Sequence, residues 1–156
     1  MDCRVLRYPV VISSQNGVLN GTGSYATKIF FDALENKRHQ CYLRPDTHLP
    51  AIHIDDCVDA SLRLLKADKS KLKRSVYNLA GVSITPKELE EQVRKIIPVE
   101  VDYHVDPVRQ RIADSWPDSL DDKETREEVF GDWLYTPDIE SLALKIYKGI
   151  NKNFMK

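Results

Sequence analysis

The run Val5-Leu6-Arg7-Tyr8-Pro9-Val10-Val11-Ile12 constrains the fold more than any other stretch of the chain. A near-continuous apolar segment suits a buried parallel strand better than a half-exposed one. The strand is predicted over Cys3 to Ser13, and it ends or breaks at Pro9, which has no N–H to give to a ladder. A loop rich in Ser, Asn and Gly follows from Ser13 to Gly23.

Beyond that loop, helical and extended patterns alternate. Tyr25, Ile29, Phe30, Ala33 and Leu34 share one face of a predicted helix over Tyr25 to Asn36. Short strands are predicted at His39 to Leu43, Ala51 to Ile54 and Ser75 to Leu79, with a loop from Pro45 to Pro50. Asp55 or Asp56 is placed to cap a helix running to Lys66, with Val58, Leu62 and Leu65 turned inward. Thr85-Pro86-Lys87-Glu88 has the form of a capping box with Pro at the first helical position. The helix it opens buries Leu89, Val93, Ile96 and Ile97 and stops at Pro98. Val99 to Val105 alternates as a half-buried strand, and Asp121 to Phe130 is charged and helical. Thr136-Pro137 starts a last helix with Ile139, Leu142, Ala143, Ile146 and Ile150 on one face. The class is therefore α/β. Only one long buried strand is present where a doubly wound sheet needs several, so the chain reads as the tail of a larger fold.

With 156 residues, the chain can form one domain with a sizeable core. Its 23 basic and 24 acidic residues leave a net charge of −1, which favours neither nucleic acid nor an anionic membrane as partner. No apolar run reaches the ~20 residues that cross a bilayer, and Met1 to Arg7 has no signal-peptide core. Cys3, Cys41 and Cys57 are an odd count without CxxC spacing, read as reduced thiols in an intracellular compartment.

Gly21-Thr22-Gly23-Ser24-Tyr25-Ala26 spells G-x-G-x-x-A ahead of a helix, a variant of the dinucleotide fingerprint. The fingerprint belongs in the turn directly after a strand, whereas Ser14 to Asn20 intervene here. The segment is therefore read as a loop leading into a helix and touching a ligand, not as the phosphate cradle. His39, His48, His53 and His104 are scattered without metal-ligand spacing. The acidic run Asp121, Asp122, Glu124, Glu127, Glu128 is a solvated helix face. The segment Asp106 to Pro117 stands apart, because it crowds two Arg, two Asp and a Trp between two prolines. Arg is a good fork for a carboxylate and Trp a good lid over a ligand.

Arg109-Gln110-Arg111-Ile112-Ala113-Asp114-Ser115-Trp116-Pro117, followed by Ser119-Leu120-Asp121-Asp122, closely resembles a block of the L-threonine 3-dehydrogenases of the extended short-chain dehydrogenase type, NAD-dependent epimerase/dehydratase relatives. Leu6 to Ser13 is similar to the family's L-R-Y-P-G-V-I-S strand, and Gly21 to Ala26 to its G-T-T-D-Y-A. Ile54-Asp55-Asp56-Cys57, Tyr77-Asn78-Leu79-Ala80-Gly81 and Thr85-Pro86-x-Glu88-Leu89 match in the same order.

The resemblance implies the C-terminal part of a Rossmann-type enzyme that oxidises the 3-hydroxyl of L-threonine with NAD, giving 2-amino-3-ketobutyrate in threonine catabolism. Residues 1–13 would be a residual Rossmann strand. Residues 14–156 would be mainly the substrate-binding subdomain, with segments returning to the sheet. Pro9, Val10 and Val11 are carried over as cofactor-binding, and Thr22, Trp116 and Arg7 as substrate-binding. The family's Gly-rich NAD loop and Tyr-x-x-x-Lys pair lie N-terminal to the Arg-Tyr-Pro strand. The residues four after the seven tyrosines are Ile12, Ile29, Asp46, Gly81, Pro107, Ile139 and Asn151, so no such pair stands in this sequence and no catalytic residue is assigned. This sequence also departs from the pattern in its retained half. Val10 replaces Gly, Gly23 and Ser24 replace Thr and Asp, and Gly131 to Tyr135 differs from W-G-W-K-P. The full-length family member is expected as a homodimer, mitochondrial in a eukaryote and cytoplasmic in a bacterium. The alternatives are a non-catalytic truncated or decayed paralogue serving as an interaction module, and a sugar-nucleotide epimerase-like protein.

Overall fold

The computed structural model describes residues 2–15 and 20–154. Pro9 splits the opening run, and the two halves enter different sheets. Strand β1 (Val5–Arg7) pairs in parallel with β5 (Val76–Asn78). Strand β2 (Val10–Ile12) pairs in parallel with β4 (Leu49–His53), which pairs antiparallel with β6 (Val82–Ile84). A third ladder joins β3 (Arg38–Cys41) to β7 (Glu100–Tyr103) in parallel. The class is α/β, as expected, but of the opening run only Ile12 is fully buried. Val5, Tyr8 and Val11 are exposed, because β1 and β2 each have one neighbour among the described residues and one open edge. The strand β6 was not foreseen, since three residues carry too little period to read.

The larger core lies where α1 (Tyr25–Asn36), α3 (Pro86–Ile96) and α6 (Ile139–Phe154) meet β2, β4 and β6. Helix α1 is buried around more than its predicted face, with Ala26 and Phe31 inside as well as Tyr25, Ile29, Phe30 and Ala33. It ends at Lys37, which takes a left-handed conformation. Helix α3 has the full capping box: Glu88 N–H donates to Thr85 Oγ1 at 3.2 Å, and Thr85 N–H to Glu88 Oε2 at 2.9 Å. Leu89 and Val93 are fully buried beneath it, and Ile97 ends it in extended conformation before Pro98. Leu142, Ala143, Ile146 and Ile150 form the buried face of α6 as predicted. Its first turn is capped by Asp138, which accepts from Ser141 N–H at 2.7 Å, two residues later than Thr136.

Helix α2 (Ile54–Lys66) corrects two expectations. Its cap is the His53 side chain, which accepts from Asp55 N–H, and not an aspartate. Its inward stripe is Cys57, Ala60 and Leu64, whereas Val58, Leu62 and Leu65 are 51%, 44% and 71% exposed. Of this stripe, Cys57 and Ala60 join Ile52, Leu79, Phe130 and Tyr135 in a second, smaller core. The predicted helix near 121–130 is a short α5 (Lys123–Thr125) running into a π-helical turn, Arg126–Phe130. Residues 16–19 of the Ser13 to Gly23 loop lie outside the described residues.

Candidate functional site

The break between β1 and β2 opens onto an apolar cleft. Tyr8 turns its ring outward and its hydroxyl sits 2.5 Å from Ser61 Oγ on α2. Pro9 and Val10 then form one wall. Below them the turn from β5 to β6 passes very close, and this needs a glycine. Gly81 has φ +71°, and a Cβ there would lie 2.3 Å from the Ala51 carbonyl oxygen and 3.1 Å from Pro9 Cγ.

The opposite wall comes from the segment singled out by its Arg, Asp and Trp content. It begins as a helix, α4 (Pro107–Ala113), not as a surface loop. Asp106 caps it by accepting from Val108 N–H at 2.8 Å and Arg109 N–H at 3.2 Å. Its last turn tightens, with Trp116 N–H donating to Ala113 O and Ser115 Oγ to Ile112 O. That turn brings Trp116 and Pro117 over Pro9 and Val10. Ser83 Oγ on β6 donates to Asp118 O, and Asn78 Nδ2 on β5 donates to Asp121 O at 3.3 Å, which fastens the segment to the strands. Tyr8, Pro9, Val10, Leu49, Pro50, Trp116, Pro117 and Leu120 line a cleft of about 340 Å³. No charged side chain is among them.

The charged side chains of α4 are used elsewhere. Arg109 stacks its guanidinium 4.2 Å from the Tyr42 ring centre, and Tyr42 donates to Gly21 O at 3.1 Å. Burial raises the Tyr42 phenol above its ordinary pKa although Arg109 opposes this, so the hydroxyl stays a neutral donor. Asp114 accepts from Arg44 at 2.7 Å and from the Gln110 amide at 2.8 Å. Gln110 Oε1 in turn accepts from Arg44 N–H at 2.8 Å. These contacts tie the loop after β3 and the 3₁₀ turn Thr22–Ser24 to α4, and place Arg109 against Tyr42 and outside the lining of the cleft.

Of the six carried-over positions, the structure brings Pro9, Val10 and Trp116 together. Thr22 is half-buried in the turn beside them but does not line the cleft. Val11 is exposed, since its side chain alternates with that of Val10 along the strand. Arg7 is exposed on β1. Leu49, Pro50, Pro117 and Leu120 were not foreseen as cleft residues. The signal available was the proline at 50 and at 117, each stiffening a wall.

Asp55 and Asp56 are not an acid/base pair. Asp56 is buried and accepts from Thr136 Oγ1 at 2.6 Å and Lys145 Nζ at 2.8 Å, which ties α2 to α6. Asp122, in the acidic run, is likewise buried, accepting from Tyr135 at 2.9 Å and Arg126 at 2.8 Å. Among the described residues, no group of three or more His, Cys, Asp or Glu could hold a metal, and no helix is long and apolar enough to cross a membrane.

No family model matches the chain. Its fold is shared with a nucleoside-diphosphate-sugar epimerase from Agrobacterium tumefaciens, at TM-score 0.75 and 16% identity over 88% of this chain, and it covers 41% of that chain. That likeness is one of fold, and it places the chain's α/β architecture with part of such an epimerase. At higher identity the chain is similar to one portion of L-threonine 3-dehydrogenases of the epimerase/dehydratase type. It is 44% identical to the mitochondrial L-threonine 3-dehydrogenase of Bos taurus over 141 residues, 90% of this chain and 37% of that protein. The crystal structure of L-threonine dehydrogenase from Phytophthora infestans matches at TM-score 0.88 and 34% identity, over 96% of this chain and 48% of that one. The enzyme from Clostridium difficile matches at TM-score 0.89 and 31% identity, over 99% and 49%. The chain therefore spans about half the length of the relatives it matches, or less.

Proposed function

We propose that the chain is the substrate-side, C-terminal portion of an NAD-dependent L-threonine 3-dehydrogenase. On this reading residues 1–13 supply a strand of the nucleotide-binding sheet, and residues 14–156 form mainly the substrate-binding subdomain, with β5 returning to that sheet. The single observation that carries it is the cleft: the Tyr8-Pro9-Val10 break and Trp116, far apart in sequence, face each other across it. An uncharged, flat space of this kind fits the nicotinamide end of NAD, held by Pro9 and Val10 with Trp116 closing above. The bound cofactor would supply the hydride acceptor. The fit does not extend to the pyrophosphate, because the glycines at 21 and 23 open a 3₁₀ turn well after β2 and not the turn directly behind a strand.

This chain's own part is to bind, orient and exclude water. A wall of Pro9, Val10, Leu49 and Leu120 keeps the reacting end of a ligand dry, which strengthens any electrostatic contact made there. Removal of the hydroxyl proton needs a base of lowered pKa, the Tyr-x-x-x-Lys chemistry of the family, and that base has to come from the nucleotide-binding half. The Thr22 turn and Arg7 would touch the amino acid once that half is seated. The reading goes with a homodimeric whole protein, in mitochondria of a eukaryote or cytoplasm of a bacterium, where Cys41 and Cys57 stay reduced thiols.

The test is complementation. The purified chain alone should give no L-threonine-dependent NADH. The chain mixed or fused with the nucleotide-binding half of the bovine relative should give NADH with L-threonine. NADH from the chain alone, or none from the combination while the bovine enzyme works in parallel, overturns the reading. The second result would favour a non-catalytic paralogue, for which the substitutions at Val10, Gly23 and Ser24 speak.

A further inference from the structure

Glycine at position 23 is not demanded by its backbone. Among the described glycines only Gly81 and Gly131 have positive φ. What position 23 lacks is room. A Cβ there would lie 3.1 Å from Val10 Cγ1 and 3.7 Å from Leu49 Cδ1. The first distance is tighter than side chains ordinarily keep, so either Val10 or the Thr22–Ser24 turn would have to give. Val10 is β-branched and sits on a strand, opposite Ala51, which fixes its χ1 and its backbone. Leu49 and the turn close off two sides of it, and the open side is the cleft under Trp116.

We propose that Val10 and Gly23 act as one size-matched pair that sets the clearance beneath Trp116, and so determines the bulk and polarity of the group the cleft admits. This rests on the reading of the cleft as the substrate-side site. The motifs this chain resembles have the reverse arrangement, glycine at position 10 and threonine at position 23. Bulk has thus changed places between two touching positions. The exchange also trades a hydroxyl on the turn for an isopropyl on the wall. Whatever part of a ligand lies against Val10 therefore meets methyl groups in place of open backbone, with less clearance than a glycine would leave.

The test uses the intact chain with Trp133→Phe throughout, so that Trp116 is the sole indole. Gly23→Ala, Gly23→Thr, Val10→Gly and the double variant Val10→Gly/Gly23→Thr are compared by thermal midpoint and by acrylamide quenching of Trp116. Gly23→Thr should lower the midpoint by roughly 3–10 °C, the usual result of overpacking, and shield Trp116 as Val10 is pushed into the cleft. Gly23→Ala should act the same way but less, and keeps the test readable if the threonine variant does not fold. Val10→Gly should expose Trp116 to quencher. The double variant should regain most of the midpoint lost by Gly23→Thr. Additive losses in the double variant, or Trp116 quenching equal in all proteins, overturn the proposal. If the coupling appears but the complemented enzyme makes no NADH with L-threonine, the proposed function fails and the pair stands as the gauge of a cleft for another ligand.

Discussion

The Tyr25 hydroxyl is buried in the main core with no hydrogen-bond partner among the described residues. Burial lifts its pKa well above the ordinary value, so it is a neutral O–H left without an acceptor. Tyr25→Phe should therefore stabilise the chain, by about 1 kcal/mol in a denaturant titration. A loss of stability would mean that the hydroxyl has a partner after all. Two buried histidines set the pH response. His39 donates from Nδ1 to Asp32 at 2.7 Å, and His53 Nδ1 accepts from Asp55 N–H at the start of α2. Desolvation by burial is the main cause that holds both below the ordinary imidazole value of 6.5, with Asp32 and Asp55 opposing it. The folded state thus binds fewer protons than the unfolded chain below that value. Stability is fully present above pH 6.5 and falls as pH drops below it through the folded-state pKa values. Protonating His53 at Nδ1 also removes the cap of α2. Denaturation midpoints taken between pH 7.5 and about 5 should fall with pH. His53→Asn, which keeps a capping acceptor, should flatten that slope, and an unchanged slope would count against the assignment. At this scale the sequence located positions better than directions. The resemblance marked Pro9, Val10 and Trp116, which do meet, and also Val11 and Arg7, which do not. Strand alternation turns Val11 away from Val10, and a residue-by-residue match does not carry that direction.

Helix α3 was fully legible, because its cap, its first proline and its apolar spacing all agree on one start and one face. Thr85→Ala should cost about 1 kcal/mol, since it leaves the Glu88 N–H without its side-chain acceptor, and thermal unfolding would show it. Helix α2 was legible as a helix but misread in phase. Val58, Leu62 and Leu65 have the spacing and bulk of an inward stripe, yet the inward residues are the smaller Cys57, Ala60 and Leu64. The helix carries two apolar stripes, and periodicity cannot say which one meets the core present in the chain. The exposed stripe is what a helix shows when a second layer is meant to cover it. Replacing Val58, Leu62 and Leu65 together by Gln should leave the denaturation midpoint within about 0.5 kcal/mol per site, as for other exposed positions. The same triple variant should lose NADH formation in complementation with the nucleotide-binding half. A large loss of stability would show that the stripe is packed within the chain, and retained complementation would show that it is not the docking face.

At the scale of the whole molecule, the β1–β5 ladder has one open face. Val5 and Val76 are partners in the β1–β5 ladder and so share a face, and both are exposed. Leu6, on the other face of that ladder, packs into the smaller core with Cys57 and Ala60. A parallel ladder is thus covered on one face and bare on the other, whereas parallel sheets are ordinarily covered on both. The hydrogen bond from Tyr8 to Ser61 sets the β1–β2 junction against α2, which lies on the covered, Leu6 side of the ladder. An open strand edge beside exposed valines is a ready template for pairing with another chain. The isolated chain should therefore self-associate with rising concentration in sedimentation velocity. Val5→Lys, which places a charge on the bare face without touching either core, should shift the distribution toward monomer. Addition of the nucleotide-binding half should do the same by covering the face, and it should raise the thermal midpoint as any ligand of the folded state does. A monomeric chain with one cooperative melt, unchanged by Val5→Lys and by the added half, would mean that the bare face is stable as it stands and that this fold needs no second half.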